Sequence, residues 1–590
     1  MNEKEIDIVR NRIRDKHCGD EKQLEVVFSS QKRLLVEAPA GYGKTNTMVS
    51  RIAYLIAVGQ IPVPKRLLAL TFSVNAAYKI KKDISGNIPQ LLYGLSHQVS
   101  IKDKIYVSNY HGFCRSVLKK YGRLIHPALA ELDILQSIDD SRADTIMGQF
   151  KNLQISEANV LSDFNGAVKN IDANYLKDNI DSYNSIVIAK IIDSGALPYN
   201  AIITLTIKLF KEYPNILKFY RSYYTTILVD EFQDTNLLSY WLLCVLITDK
   251  TNLLLLGDSL QRIYGFIGAI PNLLTRAKRK FSLEQISLDR NYRFASNVNM
   301  LNLDKLMRQC ALTPFENPTK VVAEIPFNIY EDQDKEASGT VSKASEILKQ
   351  DSTAKVAILV KQRGPNVNAI IDAFNEKGVS FFYGLFTDED GEYVKFNKRC
   401  LYEFIELLKI ESKISKRLRI RHIARMQKLY QDENSALIDS FFRLLSVFWE
   451  RLFVEYGSLS NEDKLNLVKE TFEHNGIKQY MEFLDIPIII TTVHAAKGLE
   501  WDYVILPDME KDLFPSWIGL CGKCNCGETC NFKFNKNTER AFLEELSVFY
   551  VAVTRARKQV YFSCSKRQRT KYGDRSKNIS CFMKLPGMKY

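Results

Sequence analysis

The sequence predicts an α/β protein with two parallel sheets, each interrupted by a mostly helical insertion. Three observations carry that prediction. Short apolar runs of strand length alternate with longer stretches of helical period. The alternation occurs as two separate series along the 590 residues. Each series is broken once by a stretch that reads as mostly helical, over 89–199 and 395–484.

The first series begins with RLLVE at 33–37, which runs into a Gly-rich turn, and continues with LLALT at 67–71 and a helical stretch over 75–84. TILVD at 226–230 and LLLLG at 253–257 follow, with a helical segment between them. The second series comprises KVAILV (355–360), IPIIIT (486–491), YVIL (503–506) and VYFS (560–563). The expected domains are therefore a first core over 1–88 and 200–295 with an insertion at 89–199. A second core spans 296–394 and 485–590, with an insertion at 395–484 and a Cys-rich insert at 517–538.

Hydrophobic residues make up 46% and charged residues 25%, the balance of a globular protein with several cores. The N-terminus is charged and lacks an apolar h-region, and no apolar run approaches a membrane span. A cytoplasmic chain with no membrane segment is expected. Lys and Arg number 81 against 68 Asp and Glu, for a net charge of +13. That excess suits a polyanionic partner, although a merely soluble basic protein carries the same charge. Cys18, Cys114, Cys244, Cys310, Cys400, Cys564 and Cys581 are scattered, as expected of reduced thiols.

Residues 38–45 read APAGYGKT: Ala38, Pro39, Ala40, Gly41, Tyr42, Gly43, Lys44 and Thr45. A Gly-rich turn between a buried strand and a helix lets backbone N–H groups approach phosphate oxygens. Lys44 can then reach the β- and γ-phosphates of ATP, and the Thr45 hydroxyl can bind Mg²⁺. A Gly-rich turn alone is often only a turn; its placement after RLLVE and before a helical stretch favours phosphate binding. ILVDEFQDT at 227–235 supplies the acids. Asp230 at a strand end suits Mg²⁺, and Glu231 beside it suits the orientation and deprotonation of water.

DEFQDT in this setting resembles the superfamily 1A helicases of the UvrD, Rep and PcrA type. Further motifs resemble theirs in the same order: LTFSVNAA (70–77), VSNYHGF (107–113), LLGDSLQRIYGFIGA (255–269), LDRNYRF (288–294), TTVHAAKGLEWDYVIL (491–506) and FYVAVTRARKQVYF (549–562). The resemblance implies two RecA-like cores, with ATP held where they meet. It implies Gln23 as the adenine-reading amide, Gln261 as γ-phosphate sensor and Tyr292 stacked on adenine. Arg293 and Arg555 become the γ-phosphate arginines, and Glu500 the ribose contact. The implied activity is ATP-dependent, 3′-to-5′ translocation on single-stranded DNA and at single-strand/duplex junctions.

The resemblance also implies a nucleic-acid track, with Phe72, Tyr264 and Phe266 stacking on bases and Thr492 and His494 on the backbone. Core packing is the commoner fate of such aromatics. This chain has Phe266 and Ile267 where the family usually has Trp and Arg, and Asn75 where it usually has Lys. Those changes imply a weaker grip on the strand with the ATPase set intact. KISKRLRIRHIARMQK at 413–428 holds seven Lys or Arg and no acid, with Arg417, Arg421, Arg425 and Lys428 on one helical face. It suits duplex DNA, a partner protein, or plain solvation. The second insertion is shorter than in repair helicases, which resembles helicase subunits of Gabija-like antiviral defence systems. No nuclease motif follows 549–562, so a nuclease partner is expected to be another chain. The alternative function is then a DNA-sensing ATPase that regulates that nuclease.

CGKCNCGETC presents Cys521, Cys524, Cys526 and Cys530 within ten residues. Four thiolates suit a structural Zn²⁺, with an iron–sulfur cluster or free surface thiols as alternatives.

Overall fold

The computed structural model describes residues 3–94, 101–132, 135–312, 321–387, 390–433, 435–457, 459–517, 536–570 and 573–590. It divides into two units, Met1–Arg290 and Asn291–Tyr590. That division falls ahead of the boundary expected after residue 295, so Arg293 belongs with the second unit.

In the first unit six parallel strands follow the order Ile105–Asn109, Arg66–Thr71, Tyr224–Val229, Asn252–Gly257, Arg33–Glu37, Glu284–Ser287. Successive side chains point to opposite faces, and both faces are buried. Leu34, Val36, Leu254 and Leu256 enter one core with Met48, Val49 and Ile52 of the helix Lys44–Ala57. Leu35, Leu253 and Leu255 enter the other, with Phe113 and Val117 of the helix Tyr110–Tyr121 and with Ile202, Leu205 and Leu209 of Tyr199–Glu212. The helical insertion thus shares its core with one face of the sheet.

The strand Ile105–Asn109 lies inside the stretch read as helical, and Glu284–Ser287 was not expected. Both are edge strands: IYVSN offers only three apolar residues in a row, and EQIS only one. Only Ile286 of EQIS is buried.

The second unit repeats the plan with six parallel strands in the order Phe327–Tyr330, Ala556–Ser565, Trp501–Leu506, Val356–Val360, Ile488–Thr492, Phe382–Gly384. The two outermost again escaped the sequence pattern. The insertion comprises the helices Gly391–Leu408, Lys416–Leu429, Ala436–Val454 and Asn461–Glu473. At its centre the buried His422 bonds the Cys400 carbonyl through Nε2 (2.8 Å) and accepts from the Trp449 indole N–H at Nδ1 (3.1 Å). Burial pushes its pKa down to about 4.

The helix Lys416–Leu429 corrects the reading of its basic face. Leu418, His422 and Met426 turn inward, while Arg421 pairs with Glu411 (2.8 Å) and Arg425 with Glu403 (3.4 Å). Acids absent from 413–428 arrive from the preceding helix and the residues just after it. Lys413, Lys416, Arg417 and Lys428 stay exposed. Among the described residues no helix is long and apolar enough to cross a membrane. Cys521, Cys524, Cys526 and Cys530 lie outside the described residues, and the seven scattered cysteines are free thiols.

Candidate active site

The loop 38–45 leaves the inner strand Arg33–Glu37 at its carboxyl end and enters the helix Lys44–Ala57. Gly41 (φ 83°) and Gly43 (φ 80°) take the left-handed backbone that lets a phosphate loop close. Gly43 is hemmed in as well, because a Cβ there would collide with the amide of Gln23. The helix Glu21–Phe28, capped by Asp20, brings that amide up. Gln23 donates from Nε2 to the Tyr42 carbonyl (3.1 Å), and its Oε1 meets Nδ1 of His17. The glutamine is buried and braces the phosphate loop in this state.

Lys44 reaches the end of the strand Tyr224–Val229, two strands away in the sheet. Its ammonium lies 3.3 Å from Asp230 Oδ1 and bonds directly to Glu231 Oε1. Burial alone would lower the lysine pKa, but Asp230 and Glu231 outweigh it and hold the ammonium charged. Burial, with Glu231 adding to it, raises the Asp230 carboxyl even against Lys44. Glu231 occupies a left-handed conformation (φ 52°), a strained placement for a non-glycine residue.

From Glu231 a chain of hydrogen bonds runs outward. Gln233 donates from Nε2 to Glu231 Oε2 (2.5 Å), and its Oε1 accepts from the Asp258 N–H (3.1 Å). Asp258 Oδ2 accepts from Gln261 Nε2 (2.8 Å). Gly257 is needed at this crossing, since a Cβ would come within 2.8 Å of Gln233 Oε1. The structure thus joins Lys44, Asp230, Glu231 and Gln261, all expected from sequence, through Gln233 and Asp258, which were not. The signal for Gln233 was present in DEFQDT but carried no assigned role.

Gln261 shares its segment with Tyr264. Turns with bonds from the Ile267 and Ala269 N–H groups to the Tyr264 carbonyl (3.1 and 3.2 Å) fix that segment. The Tyr264 ring faces Phe72, with centroids 5.3 Å apart and planes inclined by 26°. Both rings are half-buried. The backbone of Phe266 lies in the turn Gly265–Ile267, while its side chain lies outside the described residues.

In the second unit Arg293 donates to Glu500 Oε1 and to the Thr554 carbonyl. Arg557 contacts Glu500 Oε2 at 3.4 Å. Arg555 is buried and donates to the carbonyls of Val551 (3.0 Å) and Leu499 (3.1 Å) and to the Thr554 hydroxyl (3.2 Å). Tyr292 is 40% exposed, enough ring surface for a stacking partner. Thr492 Oγ1 accepts from the Ala495 N–H (3.2 Å), so this buried hydroxyl shapes the turn after its strand. His494 is partly buried; burial and then the charges of Lys361 and Lys497 lower its pKa.

A phosphate loop answered by an acid pair at the end of a strand two places away, on a parallel sheet, defines a P-loop ATPase. Residues 20–282 match the UvrD/REP helicase N-terminal domain, and residues 391–567 match the UvrD-like helicase C-terminal domain. The chain belongs to the UvrD/Rep family of ATP-dependent DNA helicases. It is similar to a probable DNA helicase II homolog of Mycoplasma genitalium, at 24% identity over 92% of this chain and 84% of that protein. The ATP-dependent DNA helicases PcrA of Staphylococcus aureus and Staphylococcus epidermidis are each 25% identical over 92% of this chain and 82% of theirs.

Proposed function

We propose that this helicase is an ATP-driven translocase on single-stranded DNA, moving 3′ to 5′. The observation that carries the reading is the chain from Lys44 through Glu231, Gln233 and Asp258 to Gln261, three residues ahead of Tyr264. Thr45 and Asp230 would hold Mg²⁺, which would supply positive charge beside the phosphates; Lys44 exchanges the acids for the phosphates, and Glu231 is then free to orient water. Gln261 then exchanges its bond to Asp258 for the γ-phosphate. That exchange shifts the Tyr264 segment, and with it the ring that a base stacks upon. Centroids 5.3 Å apart leave no room for a base between Phe72 and Tyr264, so the base lies on an outer face or parts the pair.

In this reading Arg293 and Arg555 exchange their present carbonyl and carboxylate partners for the γ-phosphate, where a guanidinium neutralises developing charge. Tyr292 stacks on adenine, Glu500 takes the ribose, and Thr492 and His494 flank the strand backbone. Strand displacement on duplexes with 3′ or 5′ tails tests the reading. ATP-dependent displacement from the 3′ tail is expected. Strong DNA-stimulated hydrolysis with no displacement from either tail overturns it.

The exposed Lys413, Lys416, Arg417 and Lys428 favour a second reading, in which a nuclease chain docks on this helix and the ATPase senses DNA. Displacement measured with and without co-purified partner chains separates the two. The four clustered cysteines remain candidates for structural Zn²⁺, which metal analysis of the purified protein decides.

A further inference from the structure

A second group of buried acids stands at the carboxyl ends of the second sheet, in the other unit from Lys44, Asp230 and Glu231. Glu336 comes from the first turn of the helix Gln333–Gln350; Asp508 and Glu510 come from the loop after the strand Trp501–Leu506. One carboxylate oxygen of each lies within 4.8 Å of the others. Glu336 and Glu510 are 0% and 1% exposed, whereas Asp508 keeps an opening to the surface.

Half of each buried carboxylate is already used. Glu336 Oε1 accepts from the Ser563 hydroxyl (2.7 Å) and the Asp508 N–H (3.1 Å). Glu510 Oε1 accepts from the Ser565 N–H (2.5 Å) and hydroxyl (2.9 Å). Their other oxygens, Glu336 Oε2 and Glu510 Oε2, have no hydrogen-bond partner.

A fourth side chain meets the cluster through its amide nitrogen. Asn366, at the start of the helix Pro365–Glu376, is 4% exposed and donates from Nδ2 to Asp508 Oδ1. Its Oδ1 is left buried with no partner. A buried carboxylate oxygen left without a donor is costly when ionised. Three acids, all oxygen, form a donor set that hard divalent cations take. Ligand oxygens at about 2.3–2.6 Å from one ion lie up to about 5 Å apart, the spread seen here.

We propose that Glu336, Asp508 and Glu510 bind one hard divalent cation of the Mg²⁺, Mn²⁺ or Ca²⁺ class, with the Asn366 amide orienting Asp508. Such an ion ties the 508–516 loop to the helix Gln333–Gln350. The same loop accepts the Lys361 ammonium at the Leu513 carbonyl (3.1 Å) and holds Glu545 through the Ser516 hydroxyl (2.8 Å). Both Lys361 and Glu545 bear on His494, so the ion braces the ground beneath a proposed strand contact. The charged and titratable groups facing the cluster are Lys577, which favours ionised Asp508 and Glu510, together with Tyr330 and Cys564. Without the ion, burial pushes Asp508 up to about 6 and Glu510 up to about 7.

The test uses the full chain, free of nucleotide, stripped with chelator and returned to pH 8. Titration with Mn²⁺, followed by the electron spin resonance of the free ion, should show one ion held per chain. Asp508→Asn and Glu336→Gln should abolish that binding, and Asn366→Ala should weaken it by about tenfold. Asp230→Asn should leave it unchanged, which separates this site from the nucleotide's Mg²⁺. Thermal unfolding guards against variants that fail for structural reasons. In chelator at pH 8, Glu336→Gln should melt above the wild type, because one buried charge is gone; with saturating Ca²⁺ the order should reverse. Absence of Mn²⁺ binding overturns the proposal. So does binding that survives Asp508→Asn, or a Glu336→Gln variant less stable than wild type both with and without Ca²⁺.

Discussion

The two sheets share one topology, and each gathers buried carboxylates at its carboxyl edge. They neutralise them differently. In the first unit Asp230 and Glu231 meet Lys44, a cation supplied by the chain itself. In the second, Glu336, Asp508 and Glu510 lean on hydroxyls, N–H groups and the more distant charge of Lys577. A built-in lysine offsets part of the first cluster's charge yet can exchange its partners when phosphates arrive. A cluster without one needs either protons or a bound cation, and is suited to staying as it is. The contrast separates a site that must change every cycle from a site that holds a loop.

Removing the lysine is the strongest way to break that contrast. Lys44→Ala should lower kcat by about 10²–10³-fold, since a charge aimed at the transferring phosphate is lost. The same variant should also gain weak Mn²⁺ binding without nucleotide, because Asp230 and Glu231 then resemble the second cluster. A steady-state ATPase assay and a Mn²⁺ titration check the two halves. Gln233→Leu removes the donor that holds Glu231 Oε2 and cuts the path to Gln261. Misplacing the general base in this way should cost about tenfold to a hundredfold in kcat with little change in KM for ATP.

These two variants also mark how far the sequence could be read. Lys44, Asp230 and Glu231 stood out because strand, turn and acid pair are local patterns with fixed spacing, whereas Gln261 came only from the family resemblance. The path between them did not stand out, because Gln233 acts by reaching Asp258 across adjacent strand ends. Central strands were legible as continuous apolar runs, whereas edge strands such as Glu284–Ser287 present one buried residue and no run. The second acidic cluster was invisible for the same reason as Gln233. Glu336 and Glu510 are far apart in the chain, and only the sheet brings them together.

Acidity sharpens the comparison further, because His422 titrates in the opposite sense to the acids. Its folded pKa of about 4 lies below the unfolded value near 6.5. The unfolded chain therefore binds the extra proton between those values, and stability is lost as pH falls from 6.5 towards 4. The loss should reach roughly 3 kcal/mol for a group so deeply buried. Asp508 and Glu510, raised to about 6 and 7, do the reverse when no cation is bound. They cost stability as pH rises from about 4 to 7. Denaturant melts at pH 4.5, 6 and 8 should show the acid-side loss abolished in a folded His422→Asn variant. The alkaline-side loss should be abolished by Ca²⁺. A single shared pH profile for all samples would contradict both assignments.

The smallest effects concern the basic helix, where Arg421 and Arg417 give the cleanest local comparison. Arg421 is partnered by Glu411 at 2.8 Å, while Arg417 is exposed. A half-buried surface pair of this kind contributes on the order of 1 kcal/mol, so Arg421→Ala should change stability slightly and leave DNA binding nearly untouched. Arg417 is available to a phosphate. Each phosphate contact on duplex DNA contributes about 0.9 to the slope of log affinity against log salt. If the exposed face meets duplex ahead of the strand, Arg417→Glu with Lys428→Glu should lower that slope by about 2, with single-strand binding unaffected. If the face instead docks another chain, the slope stays as in wild type and a co-purifying partner is lost. Filter binding on tailed duplexes from 50 to about 200 mM salt, run beside affinity purification, distinguishes the outcomes. An unchanged slope with the partner still bound would return these lysines and arginines to the role of a solvated surface.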